Sequence, residues 1–143
     1  PYTTLFRSLQ SKRITLLQQY ESNPIVYGDG VQLQQVLINL FNNAIDAINE
    51  NNSDVREILI SIGNNESYAY LSIVDSGLGI NPTAFESLFE LYKTSKPSGL
   101  GVGLWLSKTI IERHQGNIAA SNHERGGACF EIQIPLNERA RIK

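Results

Sequence analysis

Apolar residues recur every three or four positions in two stretches of the chain, which is the periodicity of an amphipathic helix. The longer stretch runs from about Val31 to Asn49 and follows a capping residue, Asp29. The shorter one runs from about Leu104 to His114, and Gly116 lies where a helix-terminating glycine is expected. The apolar stripe of the longer helix comprises Leu33, Val36, Leu37, Leu40, Phe41, Ala44, Ala47 and Ile48.

Apolar runs bounded by turn residues predict β-strands between and after these helices. The predicted strands are about Ile58–Ile62, Tyr68–Val74, Ile118–Asn122 and Ala128–Ile134. Gly63-Asn64-Asn65 separates the first pair and Arg125-Gly126-Gly127 the second, so both pairs are expected to form hairpins. Shorter strand pieces are indicated at residues 14–18 and 25–27. The order of helix, strands, helix and strands predicts a layered α/β sandwich with a mostly antiparallel or mixed sheet.

Composition restricts the classes of function. The 143 residues suit one domain over positions 1–143, and 41% apolar with 18% charged residues is ordinary for a globular chain. A net charge of −2 argues against a nucleic-acid partner or direct membrane contact. The single cysteine, Cys129, excludes an internal disulfide and a multi-cysteine metal site. Because the chain begins at Pro1 without a signal-peptide pattern, we expect a domain excised from a longer protein.

Two polar features carry candidate chemistry in the first half of the chain. Asn39, Asn43 and Asp46 fall within an arc of about 60° on the longer helix, where they could line a ligand pocket. An asparagine carbonyl oxygen also suits the hard cation Mg²⁺. The segment Asp75–Ile80 follows a strand and offers two glycines, which admit a flat ring, and a carboxylate that can accept from an amine. Taken alone, a solvated helix face and a tight turn explain both features.

Two further features follow before the second helix. The segment Phe89–Ser98 combines an aromatic pair with Thr94, Ser95 and Lys96, which are compatible with phosphate. Alternating glycines over Gly99–Leu104 lead into a helix, whose N-terminal N–H groups attract anions. Neither has the spacing of a dinucleotide fingerprint or a Walker loop. Each is weak alone, but the four features in this order within about 65 residues indicate a nucleotide site.

The set resembles the catalytic, ATP-binding domain of sensor histidine kinases, in the gyrase, heat-shock-chaperone, histidine-kinase and MutL superfamily. The segments that match its N box, first glycine box, F box and second glycine box are Gln35–Ala44, Asp75–Gly79, Phe89–Tyr92 and Gly99–Leu104. Leu91 and Tyr92 stand where many members carry Pro and Phe. The resemblance implies a Bergerat-type ATP-binding fold, a two-layer α/β sandwich with a mixed sheet of about five strands on about three helices.

The resemblance also implies roles for individual residues toward the metal and the base. Asn43 would ligate the Mg²⁺ that bridges the phosphates, with Asn39 nearby on the same helix face. Asp75 would accept a hydrogen bond from the adenine amino group. Gly77 and Gly79 would let the base enter. The implied cofactors are therefore ATP and Mg²⁺.

The remaining implied roles concern the phosphates. Lys96 is implied as a γ-phosphate contact, and the second glycine box as a lid with its amides facing the phosphates. Catalysis would depend on Asn39, Asn43 and Lys96. The residues implied to contact the nucleotide are Asn39, Asn43, Asp46, Asp75, Gly77, Gly79, Ile80, Phe89, Tyr92, Lys96, Gly99, Leu100, Gly101, Val102, Gly103 and Leu104.

Phosphotransfer is favoured over hydrolysis by the residue at position 39. The hydrolases of the superfamily carry Glu there to activate water, whereas Asn39 is no general base at neutral pH. The implied partners are a dimerisation and histidine-acceptor domain of the same protein and a downstream response regulator, in the cytoplasm, whether or not the parent is anchored in the inner membrane. We interpret His114 as a cap of helix carbonyls and His123 as structural, so the isolated domain should bind ATP and transfer little.

Two alternatives stay open at this point. A non-catalytic module could bind ATP and control docking to a partner through its nucleotide state. A serine kinase of the anti-sigma-factor type could use the same fold, although its members usually carry Glu at the position of Asn39.

Overall fold

Five strands form a single sheet at the centre of the fold. The computed structural model describes residues 9–10, 13–91, 102–124 and 126–137. The strands are β1 (Thr15–Tyr20), β2 (Glu57–Asn64), β3 (Tyr68–Asp75), β4 (Asn117–Asn122) and β5 (Ala128–Pro135). The strands pair in the order β1-β2-β3-β5-β4, with β1 parallel to β2 and the other neighbours antiparallel. The described part of the chain also contains α1 (Gly30–Glu50), α2 (Gly103–Arg113) and a 3₁₀-helix, Pro82–Ser87.

The core lies between the helices and the sheet. Alternate residues of β2 and β5 are buried, and they meet the apolar stripes of α1 and α2. The most deeply buried apolar side chains are Val36, Leu40, Ile48, Ile58, Ile73 and Ile111. The predicted α/β class is therefore confirmed: the sheet is mixed and has five strands, and the described residues include three helices.

Helix α1 begins where the sequence predicts. The carboxylate of Asp29 accepts hydrogen bonds from the amides of Val31 and Gln32, at 3.0 and 3.1 Å. These bonds satisfy two of the N–H groups that the first turn of a helix leaves without partners. The cap thus determines the residue at which the helix begins.

Gly116 follows the end of α2 as the sequence predicts, but it is not the residue in the left-handed conformation that a terminating glycine usually adopts. The left-handed residue is Gln115, with φ 57°. The amides of Gln115 and Gly116 donate to the carbonyls of Glu112 and Ile111, which is a Schellman motif with glutamine in the usual glycine position. Gly116 is needed for another reason: a Cβ there would lie 2.3 Å from the carbonyl oxygen of Gln133 in β5.

The predicted capping role of His114 is confirmed. Its Nδ1 lies 2.8 Å from the carbonyl oxygen of Ile110, and its Nε2 accepts from the amide of Asp29 at 3.0 Å. Since the Asp29 amide can only donate, Nε2 is the acceptor in this bond, and Nδ1 is assigned as the donor to the Ile110 carbonyl. His114 therefore joins the end of α2 to the beginning of α1.

The predictions of one turn and one short strand need correction. The β2–β3 loop is centred on residues 65–67 rather than 63–65, because the side chain of Asn65 accepts from the amides of Ser67 and Tyr68 and closes the turn. The strand expected at residues 25–27 is a single bridge between Val26 and Leu136.

Gly116→Ala should destabilise the domain, whereas Gly30→Ala should not. Both changes restrict the unfolded chain equally, so their difference reports the folded state. The new methyl group at Gly116 overlaps a β5 carbonyl, while the one at Gly30 meets nothing within 4 Å. Urea unfolding should show a loss of about 1–3 kcal/mol for Gly116→Ala, and a change within about 0.5 kcal/mol for Gly30→Ala. Equal stabilities would contradict the close approach.

Candidate functional site

A buried carboxylate marks the end of β3. Asp75 is 3% exposed, and its Oδ1 accepts from the amides of Gly77 and Ala128 at 2.9 and 3.2 Å. Burying a carboxylate is costly unless hydrogen bonds replace its water. The two amides provide this compensation and bind the turn after β3 to the start of β5.

Ser76 fixes the same turn against β2. Its amide donates to the carbonyl of Glu57, its hydroxyl donates to the carbonyl of Val55, and the Glu57 amide donates back to that hydroxyl. The side chain of Asn51, just after α1, donates to the Ser76 carbonyl at 3.0 Å. The backbone on both sides of Asp75 is therefore held by neighbouring elements.

The glycines around this turn allow close packing. A Cβ at Gly77 would lie 2.7 Å from the carbonyl oxygen of Ala47 in α1. A Cβ at Gly127 would lie 1.8 Å from the carbonyl oxygen of Asp75, and the φ of Gly127 is +83°. Gly79 also has a left-handed φ, of +84°. Gly77 thus lets the turn touch α1, while its predicted role in admitting a base stays a prediction.

The far side of the turn is held by a side chain of β4. Asn122 accepts from the amide of Ile80 at 2.7 Å and donates to the Ile80 carbonyl at 2.9 Å. The side chain of Asn122 thus bonds both the amide and the carbonyl of one residue, as the main chain of a neighbouring strand would. It fixes Ile80 and the wall of the turn opposite α1.

One face of α1 connects this turn with the start of α2. Ala47 packs against Gly77, and Asn39, two turns earlier, contacts Gly103. Asn43 lies between them on the same face and is half-buried, whereas Asp46 is exposed. At 1.5 Å per residue, Asn39 and Ala47 are about 12 Å apart along the helix. The fold thus brings the polar face of α1 next to the turn after β3 and to Gly103 at the start of α2.

Asn39 has polar contacts on both ends of its amide. Its Nδ2 lies 3.3 Å from the carbonyl oxygen of Gly103 and 3.3 Å from Oγ of Ser107, and its Oδ1 accepts from Gln35 at 2.9 Å. The side chain therefore bridges α1 and α2.

Phe89 is anchored to the core beside α2. Its ring packs edge-on against Phe130, with centroids 6.3 Å apart, and the Lys108 ammonium lies 5.8 Å from its centre. Leu104 packs against the same core, Val102 precedes α2 and Gly103 begins it.

Several predicted site residues lie outside the described part of the chain. They are Tyr92, Lys96, Gly99, Leu100 and Gly101. Their assignments stay predictions from the sequence.

The described residues fit a magnesium ion that is coordinated mainly by a bound small molecule and only to a small extent by protein side chains. No group of three or more His, Cys, Asp or Glu side chains in the described ranges could hold a metal ion. Magnesium is usually bound through one or two protein oxygens together with phosphates and water. The half-buried Asn43, on the helix face between the turn after β3 and the start of α2, fits such a single-ligand role.

The lone cysteine has no activated thiol. Burial raises the pKa of Cys129, the Glu131 carboxylate raises it further, and a hydrogen bond with Ser121 partly opposes them. The thiol is therefore protonated at neutral pH, and its place in β5 is a packing position.

The sequence did not reveal the residues that shape the site from a distance. Asn51, Ser76, Asn122, Gly127 and Ser107 hold the turn after β3 or the start of α2. Gly127 and Ser76 lie in segments that the sequence marks, the Gly-Gly turn and the glycine segment after β3. Asn51, Asn122 and Ser107 are ordinary polar residues whose partners are remote in sequence.

Comparison with known proteins identifies the family. The family model described as histidine kinase-, DNA gyrase B- and HSP90-like ATPase matches residues 28–138. The chain belongs to this ATPase family. Within it, the similarity is to sensor histidine kinases, the sensor proteins of two-component signalling.

Three curated relatives illustrate this similarity. The chain is 40% identical over 116 residues to the sensor histidine kinase TmoS of Ectopseudomonas mendocina, 37% over 112 residues to the sensor protein FixL of Bradyrhizobium diazoefficiens, and 36% over 116 residues to the sensor histidine kinase ZraS of Escherichia coli K12. These matches cover 80%, 78% and 80% of the chain, but only 12%, 22% and 24% of the relatives. The chain thus spans less than a quarter of the length of these sensor kinases.

Solved structures agree with the fold. A nucleotide-free form of the catalytic domain of the histidine kinase ThkA superposes with a TM-score of 0.82 at 29% identity, covering 94% of this chain and 86% of that one. The mycobacterial sensor histidine kinase MprB shares the fold, with a TM-score of 0.79 at 23% identity over 94% of this chain and 91% of that one. Neither α-helix of the ATPase domain combines the length and the apolar character needed to cross a bilayer, and the described residues contain no other candidate.

Proposed function

We propose that this ATPase domain binds Mg·ATP along the polar face of α1 and donates the γ-phosphoryl group to a histidine on a separate dimerisation domain of a two-component sensor kinase. The observation that carries the proposal is the position of Asn43. It lies on α1 between Ala47, which packs on the Asp75 turn, and Asn39, which contacts the start of α2.

The Asp75 turn suits the adenine end of the nucleotide. Its carboxylate is buried and oriented by two amides, so it can accept from an exocyclic amine without first losing hydration. A charge-assisted hydrogen bond of this kind is stronger than a neutral one. Ile80, fixed by Asn122, supplies an apolar neighbour for a ring.

The start of α2 suits the phosphate end. The first amides of a helix lack intrahelical partners and point toward an anion. Asn43 would contribute its carbonyl oxygen to a magnesium ion, which would neutralise phosphate charge when bound. Lys96 and the second glycine box are proposed to complete this end.

Transfer to a protein is favoured over hydrolysis because position 39 carries no carboxylate. The amide of Asn39 cannot take a proton from water at neutral pH, and its nitrogen contacts α2 while its oxygen accepts from Gln35. The acceptor must also come from elsewhere. Both ring nitrogens of His114 are in structural contacts, and His123 lies in the β4–β5 turn.

A surface of mixed apolar and charged side chains beside α2 suits the approach of an acceptor domain. Leu91 and Trp105 are 39% and 38% exposed and line one shallow pocket together with Phe89, Glu90, Lys108, Thr109 and Glu112. The position of Trp105 just inside α2 allows a core residue or a contact of the lid, and its exposure contradicts the first of these two interpretations. We propose that this surface contacts the dimerisation domain and that a response regulator then receives the phosphoryl group. The cytoplasmic location expected from the sequence stays a prediction.

Asn43→Ala should weaken nucleotide binding in a magnesium-dependent way. Removing the metal ligand should raise the Kd for Mg·AMP-PNP about tenfold or more, while ADP binding in EDTA should change about twofold or less. Titration calorimetry under both conditions provides the measurement. Asn42→Ala, at the exposed neighbouring position of α1, is the matched control. An identical loss with and without magnesium would give Asn43 a different role.

Phosphotransfer should require an added acceptor domain. The domain incubated with labelled ATP should retain little label, and addition of the dimerisation domain of a related sensor histidine kinase should produce label on that domain's histidine. Nucleotide binding without any transfer to a panel of such domains would favour the non-catalytic module. Label that is stable in acid would instead indicate transfer to a hydroxyl group.

In the same assay Trp105→Ala should reduce transfer several-fold and leave the Kd for ADP within about twofold, because the exposed ring contributes to docking. Tyr68→Ala provides the control, since Tyr68 is similarly exposed but lies at the opposite end of β3 from Asp75. Equal transfer by both variants would remove Trp105 from the docking surface.

A further inference from the structure

We infer that Asn39 is a positioning residue that holds the start of α2 against α1, and so sets the phosphate-binding end relative to Asn43. The inference rests on the proposed nucleotide binding and deepens it. It assigns Asn39 a contact within the protein in place of a contact with metal or nucleotide.

The hydrogen-bonding atoms define the role of the Asn39 side chain. The carbonyl oxygen of Gly103 can only accept, so the amide nitrogen of Asn39 faces it, at 3.3 Å. The same nitrogen reaches the Ser107 hydroxyl at 3.3 Å, and the opposite Oδ1 accepts from Gln35. Both ends of the amide are thereby occupied by protein atoms.

The contact lies at a place where α2 has little freedom. Ser107 is fully buried, so a partner for its hydroxyl offsets the cost of removing it from water. A Cβ at Gly103 would lie 3.9 Å from Cγ of Asn39, an ordinary van der Waals distance, so the two residues are direct neighbours. At the other end of α2, His114 is joined to the Asp29 amide at the beginning of α1. Helix α2 is therefore attached to α1 at both ends.

The attachment at Asn39 has a consequence for the site. Gly103 is the last glycine of the second glycine box, and Asn43 is one helical turn, about 6 Å, beyond Asn39. The Asn39 side chain thus holds the start of α2, which is proposed to bind phosphate, at a fixed distance from Asn43, which is proposed to bind magnesium. A carboxylate at position 39 would have no proton for the Gly103 carbonyl, so asparagine suits this role better than an acid.

The test compares Asn39→Ala, Asn39→Asp, Ser107→Ala and the Asn39→Ala/Ser107→Ala double variant. Calorimetry would give the Kd for Mg·AMP-PNP, and for AMP-PNP in EDTA. We expect both Asn39 variants to bind about 3- to 10-fold more weakly under both conditions, as for one lost hydrogen bond. Ser107→Ala should lose about 2- to 3-fold, and the double variant should bind no more weakly than Asn39→Ala. Asn42→Ala is again the control for an exposed asparagine of α1.

Other results would overturn the inference. Tighter magnesium-dependent binding by Asn39→Asp, with no effect of Ser107→Ala, would make Asn39 a metal ligand and leave the proposed function intact. Wild-type affinity of Asn39→Ala would also overturn it. If the Asn39 variants fail to fold, Ser107→Ala alone decides, since wild-type affinity in that variant contradicts the coupling. Absence of nucleotide binding by the wild-type domain would overturn the proposed function and this inference together.

Discussion

The buried carboxylate of Asp75 is the interaction on which the site depends. Two backbone amides, from Gly77 and Ala128, donate to its Oδ1 and join the end of β3 to the beginning of β5. The glycines around it allow this packing, because a side chain at Gly127 would overlap the Asp75 carbonyl. A charged group in such a place needs a fixed environment. The same environment keeps the carboxylate in one orientation for a ligand.

Helix α1 connects the turn after β3 to the rest of the site. Its Asp29 cap sets where the helix begins, and Ala47 contacts the turn after β3 at Gly77. In between, Asn39 attaches the start of α2. The helix therefore separates the turn proposed to bind the base from the helix start proposed to bind phosphate, with Asn43 between them. Membership of the histidine kinase-like ATPase family agrees with this arrangement.

The sequence predicted the parts of the fold that depend on local patterns. The α1 stripe, the Asp29 cap and both hairpins follow from residue spacing and turn chemistry within a few positions. The end of α2 was less predictable, because Gln115 takes the left-handed conformation next to a glycine that packing requires. The supports of the site could not be predicted, since Asn122 binds Ile80 across 42 positions and Asn39 binds Gly103 across 64. Such contacts arise only when the sheet and helices assemble.

The affinity of Asp75→Asn for ADP tests the central claim most directly. Asparagine keeps an oxygen for the two amides, so the turn should fold, but it replaces the second acceptor oxygen by a donor. We predict that calorimetry will show ADP binding at least about tenfold weaker, as expected for a lost charge-assisted hydrogen bond. Glu66→Gln, which removes a carboxylate at the exposed β2–β3 turn, should bind like the wild type. Equal affinities of the folded Asp75→Asn variant and the wild type would contradict the account.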